Sequence, residues 1–412
     1  MRKVTTSVIA LAMGMASVPA LSSDAESVID ALSNGDVSLD LRYRLEMVDQ
    51  DGLPDNATAS TLRTKLGYKT GTYSGLSGYL EFENTLVLGS TSYNNTLNGK
   101  TSYPVVADPA STEINQAFLQ YSAGNGFAFK AGRQGVNLGS QRYVGTVGWR
   151  QNDQTFDAVT AVYSADQLTA VYSYVWNVNR IFSNDHPLGN LKTQTNVLYA
   201  KYAASEYLNL EGTALLINLN TPNNAVDATL SSKTFSLRAT GGTSPNEGLK
   251  IGYAVEYANQ SDYATDKRDY NADYWNAELS ASVRGFTVKL GYELLGSDNG
   301  LASFQTPLAT LHKFNGFADK FLSTPANGLE DKFVQLSYKT SGDGPLSGIN
   351  FMAVYHDFSA DVGGADYGTE IDWVITKKLS KTFSLNVKGA HYSADSFATD
   401  TDKIMITLGA KF

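Results

Sequence analysis

Arginine is the residue type in this chain whose placement could do chemistry. Beyond the extreme N-terminus, Arg42, Arg44, Arg63, Arg133, Arg142 and Arg150 precede residue 151, and only Arg180, Arg238, Arg268 and Arg284 follow. A guanidinium is always charged and grips carboxylates bidentately, so a wall rich in it suits anionic or carboxylate-bearing solutes. Lys65 belongs to the same early group, and Glu81, Glu83 and Asp157 stand near it in sequence. Two readings are open: these cations meet a solute, or they pair with neighbouring carboxylates and hold a shape.

Other chemistry has thinner support. His391 and Ser393 form an H-x-S pair on one face of a strand, spaced as in the outer-membrane phospholipase, but a nucleophilic serine needs its histidine within hydrogen-bond reach and a third polar group to orient it. A lipid hydrolase using His391 and Ser393 is therefore the lesser alternative, and the chain is expected not to be an enzyme. Asp49, Asp51 and Asp55 around Gly52 sketch a calcium loop without its closing Glu, and read as an acidic turn. No metal and no cofactor are expected. The chain has no cysteine, which excludes disulfides and thiol chemistry. Its net charge of −9 excludes nucleic acid as a partner, because phosphate binding needs a basic surface.

The elements that would position these side chains are strands. In Val37 to Val48, VSLDLRYRLEMV, one parity carries Val37, Leu39, Leu41, Tyr43, Leu45 and Met47, and the other carries Ser38, Asp40, Arg42, Arg44 and Glu46. Successive strand side chains point to opposite faces, so this strand has one apolar and one ionic side. The segment from Ile404 to Phe412 repeats the pattern, as do Leu249 to Tyr257 and Phe286 to Leu294. Short turns alternate with long connections throughout, the longest being near residues 134–153 and 296–330. Charged residues are only 18%, below the roughly 25% of a typical soluble domain. Aromatic strand ends at Tyr172, Tyr174, Trp176, Trp275 and Trp373 suit a belt of rings at a membrane interface.

These features predict an all-β fold: a transmembrane antiparallel up-and-down β-barrel of about 18 strands, with 16 as the alternative. Such a sheet is too wide for its own side chains to fill, so its interior holds water unless loops fold in, and we expect the connection 134–153 to do so. Residues 1–20 read as a secretory signal, with Met1, Arg2 and Lys3 ahead of an apolar run and a small-residue site at Val18, Pro19 and Ala20. A short periplasmic leader over 21–36 then precedes the barrel at 37–412. The expected surroundings are outer-membrane lipid and lipopolysaccharide of a Gram-negative bacterium. The last strand, ending on Phe412, is the expected handle for the barrel assembly machinery.

A family resemblance rests on four runs: LRYRLE at Leu41 to Glu46, LRTKLGYKTG at Leu62 to Gly71, VVADPASTEINQAFLQY at Val105 to Tyr121, and Ala131 to Asp157, from AGRQ to WRQNDQTFD. Together they resemble the alginate export family of outer-membrane barrels, best over Val37 to Ser164. The resemblance implies an eighteen-stranded barrel whose arginines pass anionic solutes or a polyuronate chain, and it carries over Arg42, Arg44, Arg63, Arg133, Arg142 and Arg150 as pore residues. Lys65, Glu81, Glu83 and Asp157 complete the expected lining. Glu256, Glu278 and Glu293 on successive strands, and Glu370 with Asp372, place negative charge inside. They shift the expectation from a dedicated exporter of an alginate-like polyuronate toward a porin-like channel for small hydrophilic or polyanionic solutes.

Overall fold

The computed structural model describes residues 24–220 and 229–412, and the expected signal peptide lies outside them. Part of the leader forms a single short helix, α1 (Val28–Ser33), begun by Ser27, whose side chain accepts a hydrogen bond from the Asp30 N–H. It rests on the turn between the second and third strands, where the Gly71 N–H donates to the Ala31 carbonyl at 2.8 Å.

Eighteen strands follow among the described residues: β1 (Asp36–Gln50), β2 (Ala57–Lys69), β3 (Leu76–Ser92), β4 (Ser111–Ser122), β5 (Phe127–Gln134), β6 (Thr155–Ala165), β7 (Leu168–Asn179), β8 (Asn190–Ser205), β9 (Leu208–Ile217), β10 (Ser232–Asn246), β11 (Leu249–Asp262), β12 (Asn271–Val283), β13 (Phe286–Leu295), β14 (Leu329–Lys339), β15 (Asn350–Ser359), β16 (Asp366–Lys378), β17 (Phe383–Ala394) and β18 (Thr401–Lys411). Each pairs antiparallel with the next, and β1 closes on β18 from Asp40 opposite Lys411 to Gln50 opposite Thr401. Closure removes the unpaired edges that an open sheet would expose.

Parity sets which face looks where. On β1 the buried residues are Arg44, Glu46 and Val48, while Leu41, Tyr43, Leu45 and Met47 are only partly covered. All round the outside, large apolar side chains stand uncovered, including Leu66, Phe82, Leu119, Leu237, Leu290 and Ile371. In water that surface would be costly at roughly 25 cal/mol per Å², whereas in hydrocarbon it is at home. No described helix is long and apolar enough to cross a membrane. Aromatic pairs mark both ends of the apolar band: Tyr257 with Trp275 toward one rim, and Phe286 with Tyr338 toward the other. Short turns gather at the latter rim. Between β12 and β13, Arg284 and Gly285 have φ of 47° and 88°, the left-handed values that a tight hairpin turn requires.

Two of the long connections at the other rim fold into the lumen. The one over 135–154 does so as expected. The one over 296–328 was expected only as a long connection, and it also turns inward. Val136, Leu138, Tyr143 and Val144 of the first and Phe304, Leu308 and Phe321 of the second share one buried cluster with the wall residues Phe156, Tyr199, Tyr274, Phe358 and Tyr392. The apolar core of this protein therefore lies inside the barrel, between loops and wall.

If the outward face of β18 lies in hydrocarbon, Ile406→Arg should lower the unfolding free energy in lipid vesicles by about 2–4 kcal/mol. Asn386→Arg, on the lumen side of β17, should cost much less. A urea titration of both variants checks this, and equal losses would contradict the assigned faces.

Candidate functional site

The first inward loop is held by the cations of β1 and β2. The Arg42 guanidinium donates to the Gln151 side chain at 3.0 Å, to the Gly148 carbonyl at 2.7 Å and to the Arg150 carbonyl. Arg44 donates to the Trp149 carbonyl and to Thr407 at 3.3 Å. Arg63 pairs with Asp40 at 2.9 Å and lies 3.7 Å from Asp153, while Lys65 pairs with Asp153 and, at 3.2 Å, with Glu83. Glu83 in turn accepts the Asp153 N–H at 3.0 Å, and Glu81 accepts from Asn115 and Gln116 on β4.

Arg150 reaches from the loop to three carboxylates: Glu46 at 3.0 Å, Asp108 at 3.4 Å and Asp319 at 3.8 Å. Burial alone would lower its proton affinity, but Glu46, Asp108 and Asp319 raise it above the ordinary arginine value. The same loop touches the opposite wall. The Tyr143 hydroxyl donates to Glu256 at 2.8 Å, and Arg142 meets Glu293 at 3.1 Å and donates to Asn315 at 3.0 Å. A strap of about twenty residues thus crosses the lumen, with ionic contacts at both ends.

The second loop is tied down by carboxylates of β13, β14 and β16. Asn315 donates to Glu293 at 2.7 Å and to Asp331 at 3.1 Å, and the Phe317 and Ala318 N–H groups donate to Asp372 at 3.0 Å and to Glu370 at 2.7 Å. Gly316, at φ 87°, lies flat on Glu370; a Cβ there would stand 2.4 Å from its carboxylate. His312 then sits between Asp319, 2.7 Å from Nδ1, and Lys388 of β17, 2.8 Å from Nε2. Lys403 of β18 also takes Asp319, at 2.7 Å.

The two loops meet where the His312 ring stacks on Trp149, with centroids 3.4 Å apart, and Arg150 covers Trp149 at 4.2 Å. A cavity of about 480 Å³ opens on the long-loop side of this stack, and one of about 530 Å³ lies on the other side. Trp149 and His312 line both. The outer cavity carries Arg150, Arg180, Lys320 and Lys403 against Asp319 alone; the inner carries Lys289, Lys313 and Lys388 against Glu278, Glu293, Asp331 and Asp372.

Of the ten residues expected to line the pore, Arg150 faces the outer cavity. Arg42, Arg44, Arg63, Lys65, Glu81 and Glu83 stand on the lumen side of β1 to β3, under the first loop, and Arg142 lies beneath the second. Arg133 pairs with Asp157 at 2.8 Å, on the face it shares with Phe127 and Phe129. Gly132, at φ 125°, belongs to the same stretch of β5, which runs on to Gln134. Trp149, His312, Asp319 and Lys320 were not singled out from sequence. Asp108, fully buried in the connection after β3, was also missed. The available signal was the length of the 296–328 connection and its apolar residues, which a solvated loop would not need.

Titration of the second loop has a definite sign. Burial pushes His312 down to about 3, against the pull of Asp319. Asp319 is held well below the usual carboxylate range, since His312, Lys403 and Arg150 outweigh the effect of burial. Between pH about 6.5 and 3 the unfolded histidine takes a proton that the folded one refuses, so acidification disfavours the folded loop. The Asp319 contribution is present above the ordinary aspartate range and is lost in the same direction, further down. Stability of the barrel in lipid should fall as pH drops from 6.5 to 4, and His312→Phe should flatten that slope; urea midpoints against pH give the test, and an unchanged slope would contradict the assignment.

Comparison with known proteins agrees with this architecture. The family described as Alginate export matches residues 36–184, and no curated protein matches by sequence. Among solved structures the chain is similar to Pseudomonas aeruginosa OccK9 (OpdG), with a TM-score of 0.71, 17% identity, and 93% of this chain and 99% of that one covered. It is similar to Acinetobacter baumannii OccAB4, with a TM-score of 0.70, 14% identity, and 92% and 98% covered. For Pseudomonas aeruginosa OpdL the TM-score is 0.66 at 18% identity, covering 92% and 99%. Over residues 36–184 the chain resembles the family described as Alginate export, and over nearly its whole length it has the fold of these solved barrels.

Proposed function

We propose that this barrel is a channel for small hydrophilic anions, carboxylate-bearing solutes among them, which cross the outer membrane past the two inward loops. The charge of the outer cavity carries the reading: four cations face it and one carboxylate, Asp319, which Lys403 and His312 already engage. Low-dielectric walls lined by one sign focus potential into the space between them. Lys320 has no carboxylate within ion-pair distance among the described residues, and burial and the neighbouring Lys403 push its amine down to about 8. Glu370, Asp319 and Asp400 act on it only from beyond that distance, so an anion beside it would add a direct counter-charge. Arg42 supports the same reading, because its hydrogen-bond partners are two carbonyls and an amide rather than a carboxylate.

Arg44, Arg63, Lys65, Arg142 and Arg150 also have a structural part, since each meets a carboxylate and fixes a loop end. Permeation itself requires no covalent chemistry. A second reading, export of an alginate-like polyuronate, is favoured by the family match over 36–184. It would require both loops to leave the lumen for a polymer to thread. The apolar band makes outer-membrane lipid and lipopolysaccharide the proposed surroundings, and the strand ending at Phe412 the proposed contact for barrel assembly.

Deleting residues 138–148 should raise single-channel conductance, because it removes the middle of the strap; an unchanged conductance would exclude that loop as the constriction. Lys320→Gln should move the reversal potential in a salt gradient toward cations. In the wild type, anion preference should decline as pH rises through about 8, where the amine loses its proton, and the variant should lack that step. If the two proteins share one reversal potential at every pH, the anion reading fails.

A further inference from the structure

The lipid-facing side of the barrel carries an ordered polar group that the channel does not use. On β17, His391 and Ser393 share outward parity with Phe383, Leu385 and Val387, and on β18 Asp402 shares it with Ile404, Ile406 and Leu408. The register sets His391 directly opposite Asp402. The Ser393 hydroxyl lies 3.2 Å from His391 Nε2, and His391 Nδ1 lies 2.8 Å from Asp402 Oδ1. His391 and Asp402 are both solvent-exposed in the isolated chain. They stand one pair from the long-loop end of the β17–β18 ladder, above Ile404 and beside Ile371, where an apolar band gives way to the headgroup layer.

This is the third polar group that the H-x-S pair lacked in sequence. Asp402 accepts from Nδ1–H and so fixes the tautomer in which Nε2 is free to take the serine proton. A rim histidine and aspartate could pair without a serine. A serine on the far nitrogen of a histidine already oriented by a carboxylate is the arrangement of a nucleophile with its base. Thr369 of β16 faces Ser393 across the ladder on the same side of the sheet.

We propose that Ser393, His391 and Asp402 form a hydrolase triad on the outer wall, acting on carboxylic ester bonds of lipids in the facing leaflet. Ser393 Oγ adds to the ester carbonyl as its proton passes to His391 Nε2. The carbon–oxygen bond to the lipid alcohol breaks, and that alcohol leaves with the proton. Water, deprotonated by the same nitrogen, then releases the fatty acid and restores the serine. Asp402 acts as a positioning residue. This activity is independent of the lumen and of what the channel passes.

The test uses the purified full-length barrel reconstituted in phosphatidylethanolamine vesicles, with fatty-acid release as the readout and gel mobility before and after boiling as the check that each variant is folded. Release should exceed that of protein-free vesicles and fall at least about a hundredfold in Ser393→Ala and in His391→Ala. Asp402→Asn should lower kcat with KM little changed, as a purely structural surface pair would not. A fluorophosphonate, whose phosphorus would take Ser393 Oγ with loss of fluoride, should label Ser393 in the wild type and not in His391→Ala. Wild-type release no greater than that of folded Ser393→Ala, or no labelling at Ser393, would overturn the proposal.

Discussion

Every backbone N–H and C=O that crosses hydrocarbon must find its partner within the protein, because the solvent there offers none and each orphan costs several kcal/mol. Eighteen strands meet this demand together only when the last pairs with the first, so the β1–β18 ladder is the contact on which the rest depends. It also fixes parity. Once Leu45 lies opposite Ile406 on the lipid side, Arg44 and Glu46 have no other place than the lumen. On β1 the ionic side is inside because the apolar side has been committed to lipid.

That commitment creates a second problem, which the two inward loops answer. A wide ring of charged side chains around a narrowing lumen cannot be left half-desolvated and unpaired. Here Glu46, Asp108 and Asp319 converge on Arg150, and Glu293 receives Arg142, Tyr274 and Asn315. The loops supply the partners that the wall lacks, and apolar residues such as Phe304 and Leu308 fill the space between. The placement of the Trp149 and His312 stack between the two cavities follows from those anchors rather than from the barrel diameter. The same arginines hold the shape, and under the proposed function they would also shape the potential, so the two roles are not exclusive.

Charge is distributed unevenly along the path. The outer cavity is cationic and the inner one mixed, with Glu278 taken by Lys289 and Asp331 by His356. For the proposed channel, discrimination by sign would belong to the long-loop side. The outer wall is a different environment, where a polar trio sits among residues otherwise chosen for lipid. Its order across two strands comes from register, not from loop folding, and it shares no residue with either cavity.

Much of this architecture was legible in the chain. A period of two with one apolar and one charged face, as in Leu41 to Glu46, has a single stable solution in a membrane, and the number and rhythm of strands follow from counting turns. The lumen assignments of Arg42, Arg44, Arg63 and Lys65 come from the same parity. At Arg133 parity holds, and it puts the side chain on the Phe127 and Phe129 face rather than with the lumen arginines; in the connections parity gave no guidance, because side chains there have no fixed period. What the tertiary structure alone decided is which distant groups meet: Trp149 with His312, Arg150 with Asp108 and Asp319, and Asp402 with His391. Local sequence sets which way a strand residue points, but partners across a closed ring are chosen by register and by loop paths, and these are settled only when the whole sheet has formed.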